Sequence, residues 1–288
     1  IGGAATYISL AASHFTEKIS LVSVVGEDFP SDFIQHLNSC KINTDGLQIR
    51  EGEKSFFWSG KYHNDMNTRD TLVTELNVLK DFRPVVPDNF KHPDTLMLGN
   101  LTPAVQLEAL RQMRTSPKLI GLDTMDFWMN TAMDELKEAL ALINVLLIND
   151  EEARQLSGEY SLIKASKKIL EMGPSYLVIK KGEHGALLFD KAGHIFFAPA
   201  LPLEDVFDPT GAGDTFAGGF MGYLDATGDY SFNNMKRAII YGSALASFCV
   251  EKFGTKRLIN LKEQEINERV EQFVNLVQFD IALKDHSY

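Results

Sequence analysis

The stretch from Asp208 to Asp214 contains residues whose types and spacing could bind an anion and act on it. It reads Asp-Pro-Thr-Gly-Ala-Gly-Asp, so the proline and the two glycines predict a tight turn, and the apolar residues after it predict a buried helix. The first N–H groups of a helix have no internal partner and lie at the positive end of its dipole. The backbone of Gly211, Ala212 and Gly213 is therefore a candidate anion site.

Asp214 places a carboxylate in the first turn of that predicted helix. A negative charge beside a bound anion is unfavourable unless the chemistry needs it. One such need is a base that takes the proton from a hydroxyl group as the hydroxyl attacks a phosphoryl group. The alternative is a glycine-rich helix start in which Asp214 is an ordinary first-turn acid. The motif by itself leaves both interpretations open.

The elements that would position this motif alternate between strands and helices. Apolar, β-branched segments predict strands, separated by helices, over residues 19–25, 95–98, 118–123, 144–148 and 176–180. A hairpin over residues 186–197 precedes the motif, and Asp28 is expected to cap the helix after the first strand. This order predicts an α/β fold, a three-layer, mostly parallel sheet flanked by helices.

Residues 47–78 interrupt the α/β order. Apolar and polar residues alternate with a period of two on either side of a polar segment, which predicts two antiparallel strands. We expect a small inserted β-sheet lid at 47–78 and an α/β core formed by 1–46 and 79–288. The lid could close over a ligand or contribute an oligomer surface, or the strands could simply cover an edge of the main sheet.

Polar residues follow three of the predicted parallel strands, at Asp123, at Asn149 and at the turn formed by residues 180–182. Right-handed crossovers bring the carboxyl ends of parallel strands to one edge of the sheet, where ligands bind. Asn149 with Glu152 also has the spacing of a helix capping box, which is a purely structural alternative.

Composition limits the class of protein. The formal net charge of −11 argues against a nucleic-acid partner and against an anionic membrane surface. The two cysteines form neither a metal motif nor a disulfide framework, and no signal peptide is visible, so we expect a cytoplasmic protein. The small-residue segment 238–250 is too short to span a bilayer. Because the sequence opens at Ile1 with two glycines, we expect its natural N-terminus to lie further upstream.

Other nucleotide-binding and hydrolytic motifs are missing from the sequence. The Gly60-Lys61 pair is followed by Tyr62, which excludes a Walker-type loop. Phe216 stands where a dinucleotide-binding motif needs its third glycine. There is no Gly-x-Ser-x-Gly elbow of a hydrolase and no paired metal spacing of histidines.

Three motifs together resemble the ribokinase-like (PfkB) carbohydrate kinases. Asp208 to Asp214 is similar to the C-terminal signature of that family, residues 149–152 to its Asn-x-x-Glu motif, and Gly2-Gly3 to its N-terminal diglycine. They occur in family order around an inserted β segment, so the resemblance covers essentially the whole chain. It implies a ribokinase-like fold and ATP-dependent phosphorylation of a hydroxyl group on a sugar or sugar derivative.

The resemblance also implies roles for individual residues. Asp214 would be the general base, and the backbone of Gly211, Ala212 and Gly213 the anion hole for the transferred phosphoryl group. Asn149 and Glu152 would organise Mg²⁺ through water, and Lys181, Gly182 and Gly185 would form a nucleotide-binding turn. Gly242 and Ser243 would line an adenine pocket, and Gly2 and Gly3 would bind the substrate. Tight packing of helices is an equally good explanation of Gly242 and Ser243, and a plain hairpin entry of residues 181–185.

Two departures from the family pattern bear on the substrate. Sugar-specific members often have an Asp-x-Asn-x-Arg element after the mid-sheet strand, where this chain reads Asp-Thr-Met-Asp-Phe over residues 123–127. Thr6 and Tyr7 stand where several sugar kinases have a polar Asn. A nucleoside kinase of the same fold is therefore the nearest alternative, and a non-catalytic sugar or nucleotide sensor is another.

The resemblance further implies features outside the visible motifs. Family members have a first strand, a substrate-contacting Asp and the first lid strands before the diglycine, so we expect residues 1–288 to bind nucleotide yet phosphorylate poorly without them. A homodimer that forms through the lid is also expected.

Overall fold

The computed structural model describes residues 1–64, 66 and 69–278 of the 288-residue chain. The chain begins with two helices that alternate with two strands: α1 (Ala4–Ala12), β1 (Ile19–Gly26), α2 (Ser31–Ser39) and β2 (Ile42–Arg50). Strands β1 and β2 pair in parallel and form a two-stranded sheet. The sequence does not predict β2, because residues 43–46 are polar or glycine. Gly46 is required there, since a Cβ atom would lie 2.6 Å from the Leu21 carbonyl oxygen on β1.

The prediction that Asp28 caps a helix is wrong. Helix α2 begins at Ser31 with Pro30 at its N-cap, so Asp28 lies outside it. The carboxylate of Asp28 instead accepts a hydrogen bond from the backbone N–H of Ser55 at 2.7 Å. The Ser55 hydroxyl in turn accepts one from the N–H of Gly26 at 3.0 Å. Asp28 therefore connects the end of β1 to the segment that precedes the next hairpin.

The predicted antiparallel pair is present as a hairpin of β3 (Phe57–Tyr62) and β4 (Arg69–Glu75). Phe57 pairs with Glu75 and Tyr62 pairs with Arg69, and every residue of β4 is exposed. The predicted boundary between residues 46 and 47 falls within β2, so the hairpin segment begins after β2. Whether the hairpin acts as a lid remains a prediction.

The main sheet has six strands, with β5 and β10 at its edges and the order β10-β9-β8-β7-β6-β5. The strands are β5 (Thr95–Leu98), β6 (Leu119–Asp123), β7 (Val145–Asn149), β8 (Tyr176–Lys180), β9 (Ala186–Asp190) and β10 (Ile195–Ala198). Strands β5 to β8 are parallel, and β9 and β10 are added as antiparallel strands. This arrangement confirms the predicted α/β fold with a mostly parallel sheet.

Helices cover both faces of the main sheet. The helices that follow β5 are α3 (Pro103–Arg111), α4 (Asp126–Thr131), α5 (Met133–Leu140), α6 (Asp150–Ser157), α7 (Leu162–Glu171), α8 (Ala212–Thr227), α9 (Phe232–Cys249), α10 (Lys256–Ile259) and α11 (Glu263–Val277). Helices α10 and α11 pack against α9 rather than against the sheet. Alternation along β7 separates the two cores: Leu146 and Ile148 belong to the cluster that includes α5 to α7, and Val145 and Leu147 belong to the cluster that includes α8 and α9. No helix in the described residues is long and apolar enough to cross a membrane.

A cleft of about 3170 Å³ lies between the two-stranded sheet and the main sheet. Residues of β1, including Val22 and Val24, line one side, and residues of β5, including Thr95 and Met97, line the other. The cleft extends to the carboxyl ends of β6, β7 and β8 and to the start of α8. The fold therefore brings the predicted functional residues of these strands to one opening.

Candidate active site

The turn that precedes α8 is held by Asp208, which is buried. One carboxylate oxygen accepts the N–H of Thr210 at 3.0 Å, and the other accepts the N–H of Gly254 at 3.4 Å. Gly211 follows in the left-handed region, with φ of 80°, and occupies the N-cap of α8. A Cβ atom on Gly211 would lie 2.4 Å from the ring of Tyr7, so this position requires glycine both for its backbone angle and for space.

The N–H groups at the start of α8 differ in availability. Ala212 donates its N–H to the carbonyl oxygen of Pro209 at 3.1 Å. The N–H groups of Gly211 and Gly213 have no acceptor within the described part of the chain. An anion could therefore bind at Gly211 and Gly213, whereas the Ala212 N–H would first have to leave its internal partner.

Asp214 is half-buried in the cleft, within the first turn of α8. Burial, reinforced by the nearby negative charge of Asp123, raises the pKa of Asp214 to about 7, while Lys180 and Arg69 act in the opposite direction. A carboxylate with a pKa near neutrality is a far better proton acceptor than an ordinary aspartate, and it still loses its own proton near pH 7. The environment of Asp214 therefore suits a general base.

Asn149 ends β7 and Glu152 lies in the first turn of α6, and the two residues bind each other's backbone. The side chain of Asn149 accepts the N–H of Glu152, and the side chain of Glu152 accepts the N–H of Asn149, both at 2.7 Å. The capping-box alternative is thus present. It occupies one carboxylate oxygen of Glu152, and burial with the charge of Asp123 raises the pKa of Glu152 to about 7.

The donor set at this edge fits a magnesium ion bound through water. Asn149, Glu152 and Asp123 line the cleft, and the second carboxylate oxygen of Glu152 has no hydrogen-bond partner among the described residues. Among those residues no cluster of three or more His, Cys, Asp or Glu side chains could enclose a metal directly. Magnesium retains several waters and prefers oxygen donors, so carboxylate and amide oxygens at the opening of a wide cleft suit it.

Lys180, the last residue of β8, faces Asp123, the last residue of β6. The Lys180 amine lies 3.3 and 3.4 Å from the two carboxylate oxygens of Asp123. The sequence predicts that both residues lie at strand ends but assigns a role to neither. Alternation along the strands could have indicated the contact, because residues two or four apart face the same side of a sheet. Val178 and Leu119 belong to the core beneath α8, so Lys180 and Asp123 must also face α8.

The diglycine at the N-terminus lines the cleft. Gly3 has a φ of 96° and is the N-cap of α1, where its carbonyl oxygen accepts the N–H groups of Thr6 and Tyr7. The helix thereby places the buried Tyr7 ring against Gly211, and Gly2 lies beside the same ring. Burial, followed by the charges of Cys249, Asp208 and Asp214, raises the pKa of Tyr7, so its phenol stays neutral.

The predicted nucleotide-binding turn lies at the edge of the cleft. Lys181 and Gly182 line the cleft, and the Lys181 amine lies 6.0 Å from the centre of the Phe197 ring. Gly185 has a φ of 87°, and a Cβ atom there would lie 2.0 Å from the Ala198 carbonyl oxygen. Backbone packing against β10 is therefore sufficient to explain why Gly185 is glycine.

Gly242 and Ser243 lie on α9 and are not among the residues that line the cleft. Gly242 is buried, and a Cβ atom there would lie 2.8 Å from the Phe216 carbonyl oxygen of α8. Close packing of α8 against α9 explains this glycine. Their role in an adenine pocket remains a prediction.

A match to a family model identifies the class of protein as a kinase. Residues 1–261 match the family model described as pfkB family carbohydrate kinase. The chain belongs to the pfkB family of carbohydrate kinases, which confirms the resemblance found in the sequence.

Known kinases resemble the chain over most of its length. It is 30% identical over 226 residues to a cytidine kinase of Thermococcus kodakarensis, which covers 76% of this chain and 78% of the relative. It is 27% identical over 260 residues to a nucleoside kinase of Methanothermobacter thermautotrophicus, covering 88% and 80%. The crystal structure of aminoimidazole riboside kinase from Salmonella enterica, complexed with aminoimidazole riboside and an ATP analogue, superposes with a TM-score of 0.71 at 22% identity, covering 93% of this chain and 91% of that chain.

Proposed function

We propose that this kinase transfers the γ-phosphoryl group of ATP to a hydroxyl group of a nucleoside. One observation carries the reaction type: Asp214 lies in the first turn of α8, beside the N–H groups of Gly211 and Gly213, which have no acceptor within the described residues. A base and an anion site are thereby adjacent, as transfer of a phosphoryl group to a hydroxyl requires.

In the reaction we propose, Asp214 accepts the proton of the attacking hydroxyl. The hydroxyl oxygen forms a bond to the γ-phosphorus, and the bond between that phosphorus and the β–γ bridging oxygen breaks, so that ADP leaves. The N–H groups of Gly211 and Gly213, at the positive end of the α8 dipole, stabilise the negative charge on the transferred group. Protonated Asp214 then loses its proton to solvent, which its pKa of about 7 permits.

Asn149 and Glu152 are the residues that would hold Mg²⁺, through water. When bound, the ion would neutralise phosphate charge. The reciprocal hydrogen bonds of the capping box fix both side chains, so the free oxygen of Glu152 has a defined position at the end of β7. We also retain residues 181–182 as a proposed nucleotide contact, because they line the same cleft.

The substrate class rests on two separate observations. The cytidine kinase and the nucleoside kinase above match the chain over 76% and 88% of its length. The chain also has Thr124-Met125-Asp126-Phe127 where many sugar-specific members have the remainder of an Asp-x-Asn-x-Arg element. The sequence departure favours a nucleoside over a free sugar. The relatives fit both substrate classes, because a ribokinase of Mus musculus also matches over 88% of the chain.

The proposal is tested by measuring ADP release from the full-length protein with ATP, Mg²⁺ and a panel of nucleosides, pentoses, hexoses and acidic sugars. We expect turnover with one or more nucleosides and a much lower kcat/KM with free sugars. Turnover with sugars alone would overturn the nucleoside assignment. Binding of ATP without release of ADP under any condition would favour the alternative, a non-catalytic sensor.

Assembly and location are further proposals. Phe57, Leu72 and Val73 on the β3–β4 hairpin are exposed apolar side chains, which supports a homodimer formed through the lid. Light scattering of the wild type and of Leu72→Lys would test it, with a dimer and a monomer expected, respectively. Free Cys40 and Cys249 are consistent with the reducing cytoplasm that we propose as its location.

A further inference from the structure

The amine of Lys180 lies between a carboxylate and the predicted anion site. It is 3.3 and 3.4 Å from the two oxygens of Asp123, and a Cβ atom built on Gly213 would be 3.2 Å from it. The Lys180 side chain is 16% exposed and that of Asp123 is 9% exposed. Lys180 therefore presents its charge at the start of α8, inside the cleft and next to an N–H group that has no acceptor in the described chain.

The contact between Lys180 and Asp123 is long for an ion pair. Charge-assisted N–H···O bonds are usually about 2.7–2.9 Å long. The exposed pair Lys91–Asp88 has that length, at 2.8 Å. The amine is shared between both oxygens of Asp123, which occupies at most two of its three donors. One donor therefore remains for a further acceptor.

The surroundings of Lys180 keep the amine charged. Burial alone would lower the pKa of Lys180, but Asp123, Glu152 and Asp214 more than offset this effect and raise the pKa. Three carboxyl groups and one amine thus share the opening at the ends of β6, β7 and β8. A bound phosphoryl group would add more negative charge, and Lys180 is the cation that lies beside Gly213.

We propose that Lys180 contacts the phosphoryl group during its transfer, with Asp123 holding the amine beside Gly213 until the nucleotide binds. This inference rests on the proposed function. Lys180 keeps its three protons throughout, so the proton from the hydroxyl still goes to Asp214 and no other group changes its protonation. The amine stabilises the charge that develops on the γ-phosphoryl oxygens, together with the backbone donors of Gly211 and Gly213.

The test compares Lys180→Met and Lys180→Arg with the control Lys118→Met. Lys118 pairs with Asp94 at 3.0 Å, is largely exposed and precedes β6 at the opposite end of the sheet, so its loss should leave activity unchanged. For Lys180→Met we expect kcat to fall about 100- to 1000-fold, as when one preorganised donor of a transition-state charge is removed. Affinity for a non-hydrolysable ATP analogue should fall about tenfold while affinity for ADP changes little, since only the γ-phosphoryl group contacts Lys180. Lys180→Arg should restore part of kcat.

The outcomes separate this inference from the proposed function. Absence of ADP release by the wild type with every acceptor would reject the proposed function. An active wild type together with Lys180→Met that keeps kcat within about threefold would overturn only the role of Lys180. An equal loss of affinity for ADP and for the ATP analogue would also overturn it, because a contact to the γ-phosphoryl group should affect only the ligand that has this group. Circular dichroism and thermal unfolding accompany each variant, and Lys180→Gln replaces Lys180→Met if that variant does not fold.

Discussion

The hydroxyl group of Thr210 donates a hydrogen bond to the phenol oxygen of Tyr62 at 3.2 Å. Tyr62 ends strand β3 of the hairpin, and Thr210 belongs to the turn that positions Asp214. Trp58 and Arg69 of the same hairpin also line the cleft. The hairpin and the proposed anion-binding turn are therefore directly connected, which is the relationship that a lid over the site needs.

Removing the hydrogen bond between Thr210 and Tyr62 should loosen the hairpin from the turn before α8 without removing any reacting group. For Tyr62→Phe we expect KM for the acceptor to rise about 2- to 10-fold, because a neutral hydrogen bond is worth about 0.5–1.5 kcal/mol. Steady-state kinetics of the acceptor measure the change. Tyr160→Phe is the control, since Tyr160 is 86% exposed and lies outside the cleft. Identical kinetics for both variants would remove the hairpin contact from the reaction.

Replacement of Asp214 tests the general base. Asp214→Asn keeps the size of the side chain but cannot accept the proton, so kcat should fall by a factor of about 10²–10⁴. Affinity for ATP, measured by calorimetry, should stay within a few-fold of the wild type, because the N–H groups of Gly211 and Gly213 are unchanged. Asp134→Asn is the matched control, because Asp134 is an exposed acid in the first turn of α5. A kcat for Asp214→Asn close to that of the wild type would assign the proton to another acceptor.

The contacts around Asp214 show which parts of the site can be predicted from sequence. The order of strands placed Asp123, Asn149 and Lys180 at the carboxyl ends of adjacent strands, because parallel strands with right-handed crossovers end at one edge. The glycine turn that leads into α8 also followed from local residue types. Hydrophobic periodicity, local residue types and the handedness of strand connections are sufficient to predict these features.

Features that depend on tertiary packing could not be predicted. The ring of Tyr7 on α1 fills the space beside Gly211, although the two residues are far apart in sequence. Strand β2 forms because β1 offers it a parallel partner, despite its polar residues. The raised pKa of Asp214 likewise arises from burial and from Asp123, which belongs to a different strand. Each of these facts is a property of the assembled fold.

The pH dependence of the reaction should report the environment of Asp214. The base must be ionised, so kcat/KM should rise with pH through a midpoint near the pKa of Asp214, about 7. Asp123 contributes to the raised pKa of Asp214, and Lys180 and Arg69 oppose it. Asp123→Asn removes a negative charge, so it should lower the pKa of Asp214 and shift the midpoint to lower pH. A pH–rate profile of each protein measures the shift, and a shift to higher pH would contradict the assignment.

The same raised pKa predicts how the stability of the fold depends on pH. Asp214 has a pKa of about 7 in the folded chain, against 3.8 as an ordinary group. Between these two values the folded state binds the proton and the unfolded state does not, so the stability contributed by Asp214 falls as pH rises from about 4 to about 7. Asp214→Asn abolishes this titration. Its Tm relative to the wild type should therefore increase with pH up to about 7 and then level off.

Calorimetric scans from pH 4.5 to 8.5 measure the difference, and Asp134→Asn should show no such increase. A difference in Tm between Asp214→Asn and the wild type that stays constant with pH would mean that Asp214 titrates normally, and the expected midpoint near 7 in the pH–rate profile would be wrong.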